Sequence, residues 1–204
     1  MSKKDILDFK IIILGMSEVG KTCLLINYFD KKFKENNIST IGIDFKTKFF
    51  KFDEKKVKIN YVDTAGQERF HAISSNYLKN ANGILLVYSV NSRASFTLLE
   101  DWMKEVKNHS GNLPIIICAN KCDLNESREV PAEDGQQFAE KINSKFYEVS
   151  AKSGYNVATV FDEIARLTYE ASKDEDNEEH GQSLKRVKTK KKGRCCGKED
   201  KERD

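Results

Sequence analysis

Short apolar runs alternate along the chain with segments in which apolar residues recur at helical spacing. The runs predict strands at residues 9–14, 47–52, 57–62, 114–119 and 145–149. The amphipathic segments predict helices at 95–106, 134–142 and 157–169. This alternation is typical of a parallel sheet with helices on both faces. The second and third runs are too close for a crossover, so we expect an antiparallel hairpin that turns through Asp53-Glu54-Lys55-Lys56.

The first run ends at a glycine-rich loop. Residues 15–22 read Gly-Met-Ser-Glu-Val-Gly-Lys-Thr, the pattern of a phosphate-binding P-loop. Glycines let the backbone N–H groups point into one concavity, and the next helix adds its positive end. Lys21 would supply a cation to the β- and γ-phosphates, and Thr22 a hydroxyl for Mg²⁺. The residues of this segment predicted to bind the nucleotide are Ser17, Glu18, Val19, Gly20, Lys21, Thr22 and Cys23.

Two further loops indicate which base is bound. Asn120-Lys121-Cys122-Asp123 follows the run 114–119, at the strand end where open α/β sheets bind ligands. The Asp123 carboxylate can accept two N–H bonds from guanine, whereas adenine has no such donor pair and would leave the carboxylate unpaired. Asn120 can meet the other edge of the ring and tie this loop to the P-loop. Backbone N–H groups of Ser150-Ala151-Lys152 can reach the guanine O6, and the Lys152 stem can cover the base.

A third loop, residues 63–68, follows the strand predicted to end at Val62. Asp63 fits the role of a carboxylate near Mg²⁺, acting through water. The Gly66 N–H can bond the γ-phosphate when its loop closes over it. Gln67 can orient a water for attack on that phosphate.

Five segments, in this order, resemble the Rab branch of the Ras-like small GTPases. They are residues 15–22, 40–45, 63–70, 120–123 and 150–152. Stretches 39–45 and 66–70 are similar to Rab rather than to Ras or Rho sequences, and the resemblance covers residues 9 to about 172. It implies a P-loop GTPase fold (G domain), with a mostly parallel six-stranded sheet, one antiparallel strand and helices on both faces. The implied ligands are GTP or GDP and Mg²⁺.

The resemblance also assigns roles that spacing alone does not. It makes Thr40 a contact to Mg²⁺ and the γ-phosphate, so that Thr40, Gln67 and Lys21 form the catalytic set. It places Phe33 against the guanine or ribose and Ser17 nearest the γ-phosphate. The implied effector-binding residues are Ile41, Phe45, Val62 and Tyr77. Val62 stands where the family has Trp, and residues 76–80 depart from its tyrosine-arginine-glycine pattern, so the effectors of relatives are not carried over to this chain.

Charge is unevenly distributed along the 204 residues, although the formal net charge is only +3. We expect an N-terminal extension at 1–8, a G domain at 9–172, and a tail at 173–204 that is disordered because it has few apolar residues. The tail is acidic at 174–179 and basic at 185–194. The basic part has no interleaved aromatic residues, which favours an anionic membrane surface over nucleic acid.

Cys195 and Cys196 follow the basic segment directly. Two lipid chains anchor a protein stably where one is marginal, so double prenylation of this pair is expected. Other acylation, or no lipid, stays an alternative because residues 197–204 follow and are not a prenylation box. No apolar run approaches the ~20 residues that span a bilayer, and no signal-peptide core is present. We expect a cytoplasmic protein, peripheral on the cytosolic face of an intracellular or plasma membrane.

The expected function is a GTP/GDP switch that hydrolyses GTP and regulates vesicle traffic by recruiting effectors in the GTP state. No arginine before Asp63 is placed to assist hydrolysis, so intrinsic turnover should be slow and dependent on a GTPase-activating protein. The resemblance implies a guanine nucleotide exchange factor and a GDP-dissociation inhibitor or escort protein as further partners, and a monomer is expected. The alternatives are a Ras-like signalling GTPase, a non-hydrolysing nucleotide-bound scaffold, and another P-loop class such as a kinase or ATPase.

Overall fold

One six-stranded sheet organises the structure, a computed structural model that describes residues 6–33, 43–64, 78–109 and 113–190. The strands are β1 (Ile6–Leu14), β2 (Ile43–Phe52), β3 (Lys55–Thr64), β4 (Gly83–Ser89), β5 (Ile115–Asn120) and β6 (Lys145–Glu148). Their order is β2-β3-β1-β4-β5-β6, and every neighbouring pair is parallel except β2–β3. The predicted mixed α/β sheet with one antiparallel strand is confirmed.

The described helices are α1 (Lys21–Asp30), α2 (Arg93–Thr97), α3 (Leu99–His109), α4 (Ala132–Lys141) and α5 (Val157–Lys190). The single helix predicted at 95–106 is wrong in detail, because two helices meet at Leu98. Ser92 caps the first of them by accepting a hydrogen bond from the Ser95 N–H. Among the described residues, no helix has the length and apolar character needed to cross a bilayer.

The chain divides into two compact units, Met1–Tyr169 and Glu170–Asp204. The domain boundary predicted at residue 172 falls inside α5, which continues to Lys190. Glu and Lys are good helix formers, so a segment poor in apolar residues can still be helical. That 173–204 forms a separate disordered tail stays a prediction.

Alternate residues of the central strands pack into two hydrophobic cores, one on each face of the sheet. Ile11 and Ile13 of β1 pack in one core with residues of α1 and α5, including Leu25 and Phe161. Ile12 of β1 packs in the other core, on the α3 and α4 side of the sheet. A strand covered on both faces must be apolar at every position, and this accounts for the continuous apolar runs in the sequence.

The β2–β3 hairpin turns more tightly than predicted. Only Asp53 and Glu54 form the turn, with positive φ of 44° and 64°, while Lys55 pairs with Phe52 in the ladder. Two central residues with positive φ define a type I′ turn, whose twist matches that of the flanking strands. Lys55 and Lys56 therefore belong to β3, and both strands extend to the end of the hairpin.

Candidate functional site

The sequence-predicted loops all follow the carboxyl ends of parallel strands. The P-loop follows β1, and Asp63 is the second-to-last residue of β3. Asn120 ends β5 and residues 121–123 follow it, while residues 150–152 come after β6. The β1–β3 register pairs Ile13 with Asp63, which sets the P-loop beside the end of β3. Ligands of open α/β sheets bind at this edge.

The P-loop backbone requires its two glycines. Gly15 has φ 143° and Gly20 φ 94°, conformations that L side chains rarely adopt. A Cβ on Gly15 would lie 2.0 Å from the Val87 carbonyl oxygen, and one on Gly20 would lie 2.5 Å from Asn120 Nδ2. The loop therefore packs against β4 and β5 too closely for any side chain at either position. No side chain caps the N-terminus of α1, which leaves its dipole directed at the loop.

Lys21 folds back over the P-loop. Its side chain is 5% exposed, and Nζ donates hydrogen bonds to the carbonyl oxygens of Gly15 at 2.6 Å and Met16 at 2.9 Å. These carbonyls hold the ammonium group at the rim of the loop. A cation in that position is available to the phosphates that the loop would bind.

Thr22 and Asp63 meet beside the P-loop. The Thr22 hydroxyl donates to Asp63 Oδ2 at 2.5 Å, and the Asp63 side chain is fully buried. Mg²⁺ prefers hard oxygen ligands, commonly one or two protein oxygens together with water and phosphate oxygens. A hydroxyl and a carboxylate next to a phosphate loop are the donors that such a site needs, so these residues fit Mg²⁺.

Asn120 joins the P-loop to the 150–152 loop, one of the two loops predicted to recognise the base. Its Nδ2 donates to the Val19 carbonyl at 2.7 Å, and its Oδ1 accepts from the Ala151 N–H at 3.1 Å. The side chain is fully buried, so both bonds lie in a low-dielectric interior. The predicted link between the Asn120 loop and the P-loop is present in the structure.

The base-recognition loops also contact each other. The Ser150 hydroxyl donates to Asp123 Oδ1 at 2.5 Å, and the Ser153 N–H donates back to the Ser150 Oγ at 3.0 Å. The Cys122 N–H bonds the Val149 carbonyl at 3.2 Å. These contacts orient the Asp123 carboxylate before any base is bound. Ala151 is buried and Lys152 is exposed at the edge of the loop.

Asn27 is a further residue of this region, and none of the sequence motifs predicts it. It is 7% exposed on α1, and its Nδ2 donates to the Ala151 carbonyl at 2.9 Å. A buried asparagine requires hydrogen-bond partners, so it fixes the 150–152 loop against α1. The available signal was a polar residue among the apolar positions Leu24, Leu25 and Tyr28 of that helix.

The site cysteines are suited to packing rather than to reaction. Burial raises the pKa of the Cys118 thiol. Burial, followed by the negative charges of Glu148 and Asp123, raises the pKa of Cys122. Both groups are therefore thiols near neutral pH, and a thiol is a poor nucleophile. Cys23 is half-buried and unoxidised.

Several predicted site residues lie outside the described residues. They are Thr40, Ile41, Gly66, Gln67, Tyr77, Cys195 and Cys196. Phe33, which follows α1, is 38% exposed. Of the two predicted effector-binding residues that are described, Phe45 is 69% exposed, whereas Val62, directly opposite it in the ladder, is 7% exposed.

The family comparisons agree with this geometry. The model of the Ras family matches residues 10–170. The chain is 43% identical to mouse "Ras-related protein Rab-3D" over 160 residues, covering 78% of this chain and 73% of that protein. It is 41% identical to "Ras-related protein RABE1d" of Arabidopsis thaliana over 197 residues, covering 92% and 91%. It is 43% identical to Bos taurus "Ras-related protein Rab-8B" over 159 residues, covering 78% and 77%. The chain therefore belongs to the Rab family of Ras-like small GTPases.

Proposed function

We propose that this GTPase is a GTP/GDP switch in membrane traffic that recruits effectors in its GTP state. The Asn120 side chain carries the proposal, because it bonds both the P-loop and the 150–152 loop and so makes the phosphate and base regions one site. The Asp123 carboxylate, which accepts a hydrogen bond from the Ser150 hydroxyl, then selects guanine by accepting hydrogen bonds from the N–H groups of the base. Lys21 and the N-terminus of α1 bind the phosphates.

Thr22 and Thr40 would bind Mg²⁺, with Asp63 acting through water; the ion would neutralise charge on the phosphates when bound. Gln67 orients the attacking water. Thr40 and Gly66 hold their loops while the γ-phosphate is present, so hydrolysis removes the surface that effectors recognise.

Intrinsic hydrolysis should be slow because no arginine precedes Asp63 in the sequence, and Arg69, which lies beyond Gln67, is expected to face solvent or a partner. The three arginines whose side chains are described all form ion pairs, Arg93 with Asp134, Arg128 with Glu148, and Arg166 with Glu163. An arginine supplied by an activating protein accelerates such reactions by about 10³–10⁵-fold. A GTPase-activating protein is therefore a required partner, together with an exchange factor.

Membrane attachment rests on the tail. The basic segment at 185–194 would be attracted to anionic lipid, and prenyl groups on Cys195 and Cys196 would anchor it. A GDP-dissociation inhibitor or escort protein would cover those lipids when the monomeric protein is cytoplasmic. The intact mass of protein purified from its own cells should show two isoprenoid additions on a peptide containing both cysteines. An unmodified full-length tail would contradict stable anchoring and leave the GTPase assignment unchanged.

The hydrolysis proposal is tested by single-turnover assays on the full chain and Gln67→Leu. We expect the purified protein to contain guanine nucleotide. Gln67→Leu should hydrolyse GTP at least about tenfold more slowly than the wild type, since a positioned group contributes roughly 10²–10⁴-fold to such steps. GTP affinity should be unchanged, because Gln67 is assigned to the water and not to the nucleotide. Equal hydrolysis by both proteins would show that another group positions the water, and the absence of hydrolysis with any activator would favour a scaffold.

Base selection is tested by Asp123→Asn. The new amide presents a donor to the guanine N–H groups, and hydrogen bonds to charged groups contribute about 1.5–3 kcal/mol. We expect GTP affinity to fall about 10- to 150-fold while ATP binding stays weak, as measured by competition with a fluorescent guanine nucleotide. Asp134→Asn, which removes a carboxylate from the surface pair with Arg93, is the matched control and should bind GTP normally. An unaltered preference for GTP over ATP would refute the role of Asp123.

A further inference from the structure

We propose that Phe49 and Lys56 extend the partner-binding surface toward the β2–β3 hairpin, where it binds a protein segment that carries an acidic residue beside an apolar one. The inference rests on the proposed function, because Phe45 on the same strand is its predicted effector contact. It goes further by assigning a second anchor, four residues along β2, and the chemistry of the partner.

The aromatic residues of β2 divide between the two faces of the sheet. Phe50 and Phe52 point inward, where their rings stack at 5.4 Å and Phe52 stacks on Tyr169 at 5.2 Å. Phe45 and Phe49 alternate with them and are 69% and 53% exposed. Val62, the residue that replaces an aromatic in this family's pattern, is buried opposite Phe45. Phe49 thus supplies exposed aromatic surface that position 62 does not.

The charges around Phe49 are mostly positive. Lys58 lies directly opposite Phe49, and Lys56 lies directly opposite Lys51. Lys58 is paired with Asp8 at 2.8 Å and Lys51 with Glu54 at 2.6 Å. Lys56 forms no ion pair within the described part of the chain, and its Nζ lies 4.8 Å from the centroid of the Phe49 ring.

Phe49 and Lys56 leave an apolar surface and a positive charge side by side for a partner. Lys51 and Lys58 already have carboxylate partners, whereas the Lys56 ammonium group lies over the exposed Phe49 ring at cation–π distance. A partner that places a carboxylate on Lys56 and an apolar side chain against Phe49 would pair the charge and bury the ring.

A polar row separates the two aromatic anchors. The Thr47 hydroxyl donates to Asn60 Oδ1 at 2.8 Å, and Asn60 Nδ2 donates to Asp8 Oδ1 at 2.5 Å. Four residues of a strand span about 13 Å, so a partner contacts two apolar points about that far apart across a polar centre. The carboxylates of Asp8 and Glu54 within the surface favour a protein segment over an anionic bilayer.

The test places a photo-crosslinking benzoylphenylalanine at position 49 of the full chain. The protein is loaded with a non-hydrolysable GTP analogue and irradiated in an extract of its own cells, and the cross-linked peptide is sequenced. The same residue at Tyr155, which is 58% exposed, is the background control. We expect a cross-link above background to a peptide with an acidic residue near an apolar one.

Charge reversal then separates a binding role from a structural one. Lys56→Glu should lower the cross-link yield at least tenfold. It places a carboxylate directly opposite Lys51, a cross-strand pair of opposite charges, so the hairpin should stay folded. Lys55→Glu, the adjacent change on the opposite face, should leave the yield unchanged. Phe49→Thr, which keeps a good strand former, should weaken binding of the identified peptide at least tenfold.

Three results would each overturn the inference. The cross-link could form only to lipid, or its yield could stay at the Tyr155 background. Alternatively, Lys56→Glu and Lys55→Glu could give equal yields. GTP binding and hydrolysis are measured on the same preparations. If these activities are normal and the charge-dependent cross-link is absent, only this inference fails. If the cross-link is present and GTP is not hydrolysed, only the proposed function fails.

Discussion

Lys21→Ala should lower the affinity for GTP and GDP by about a hundred- to a thousandfold. Lys21 is 5% exposed, and its ammonium group is held by the Gly15 and Met16 carbonyls at the rim of the P-loop. Hydrogen bonds to charged groups contribute about 1.5–3 kcal/mol each, and contacts to two phosphates make a loss of about 3–4 kcal/mol reasonable. Titration with a fluorescent guanine nucleotide measures this loss directly.

Lys32→Ala is the matched control for this prediction, because it removes an exposed lysine just after α1. It should bind nucleotide normally. Thermal unfolding without nucleotide should show that the Lys21 variant is folded. Affinity within about threefold of the wild type would show that Lys21 only stabilises the loop and does not bind phosphate.

Asn120→Ala should reduce both stability and nucleotide affinity. The substitution leaves the Val19 carbonyl and the Ala151 N–H without their partner in a fully buried position. An unsatisfied buried group costs about 1–3 kcal/mol, so the free energy of unfolding should fall by about 2–4 kcal/mol. Nucleotide affinity should fall as well, since the phosphate and base loops are no longer fixed to each other.

Asn82→Ala provides the comparison for Asn120. Asn82 also bonds the backbone through its side chain, with Oδ1 accepting from the Lys10 N–H at 2.9 Å, away from the P-loop. Its loss should cost about 1 kcal/mol and should not change nucleotide binding. If chemical denaturation showed equal losses for both variants, with GTP affinity intact in both, Asn120 would be an ordinary core residue and not the link between the two loops.

Local sequence was enough to predict most of the chemistry proposed for the site. Each of the three motifs occupies a few consecutive residues and follows an apolar run. The motifs are the P-loop pattern, Asn120–Asp123 and Ser150–Lys152. The carboxyl ends of parallel strands meet at one edge, so finding the strands was enough to predict that the loops gather there. The same reasoning predicted the mixed sheet, because the hairpin strands are too close in sequence for a crossover.

Turns and breaks were harder to predict because they depend on single backbone conformations. The hairpin closes at Asp53 and Glu54, since a type I′ turn fits the twist of β2 and β3. A continuous helical periodicity across 95–106 did not reveal that α2 and α3 meet at Leu98. Composition also did not indicate that α5 would continue to Lys190.

The sequence by itself was enough to predict which loops would carry phosphate and base chemistry, because those functions depend on residue types at short spacing. Only the tertiary structure decided how the loops are joined and which side chains remain exposed. Asn120 and Val19 are 101 positions apart in the chain, and their contact exists because β1 and β5 deliver both loops to one edge of the sheet. Likewise, Val62 and Phe49 are both apolar residues of adjacent strands. Val62 lies on the interior strand β3, beside the buried Ile12 of β1, whereas Phe49 lies on the edge strand β2, and no local pattern records that difference.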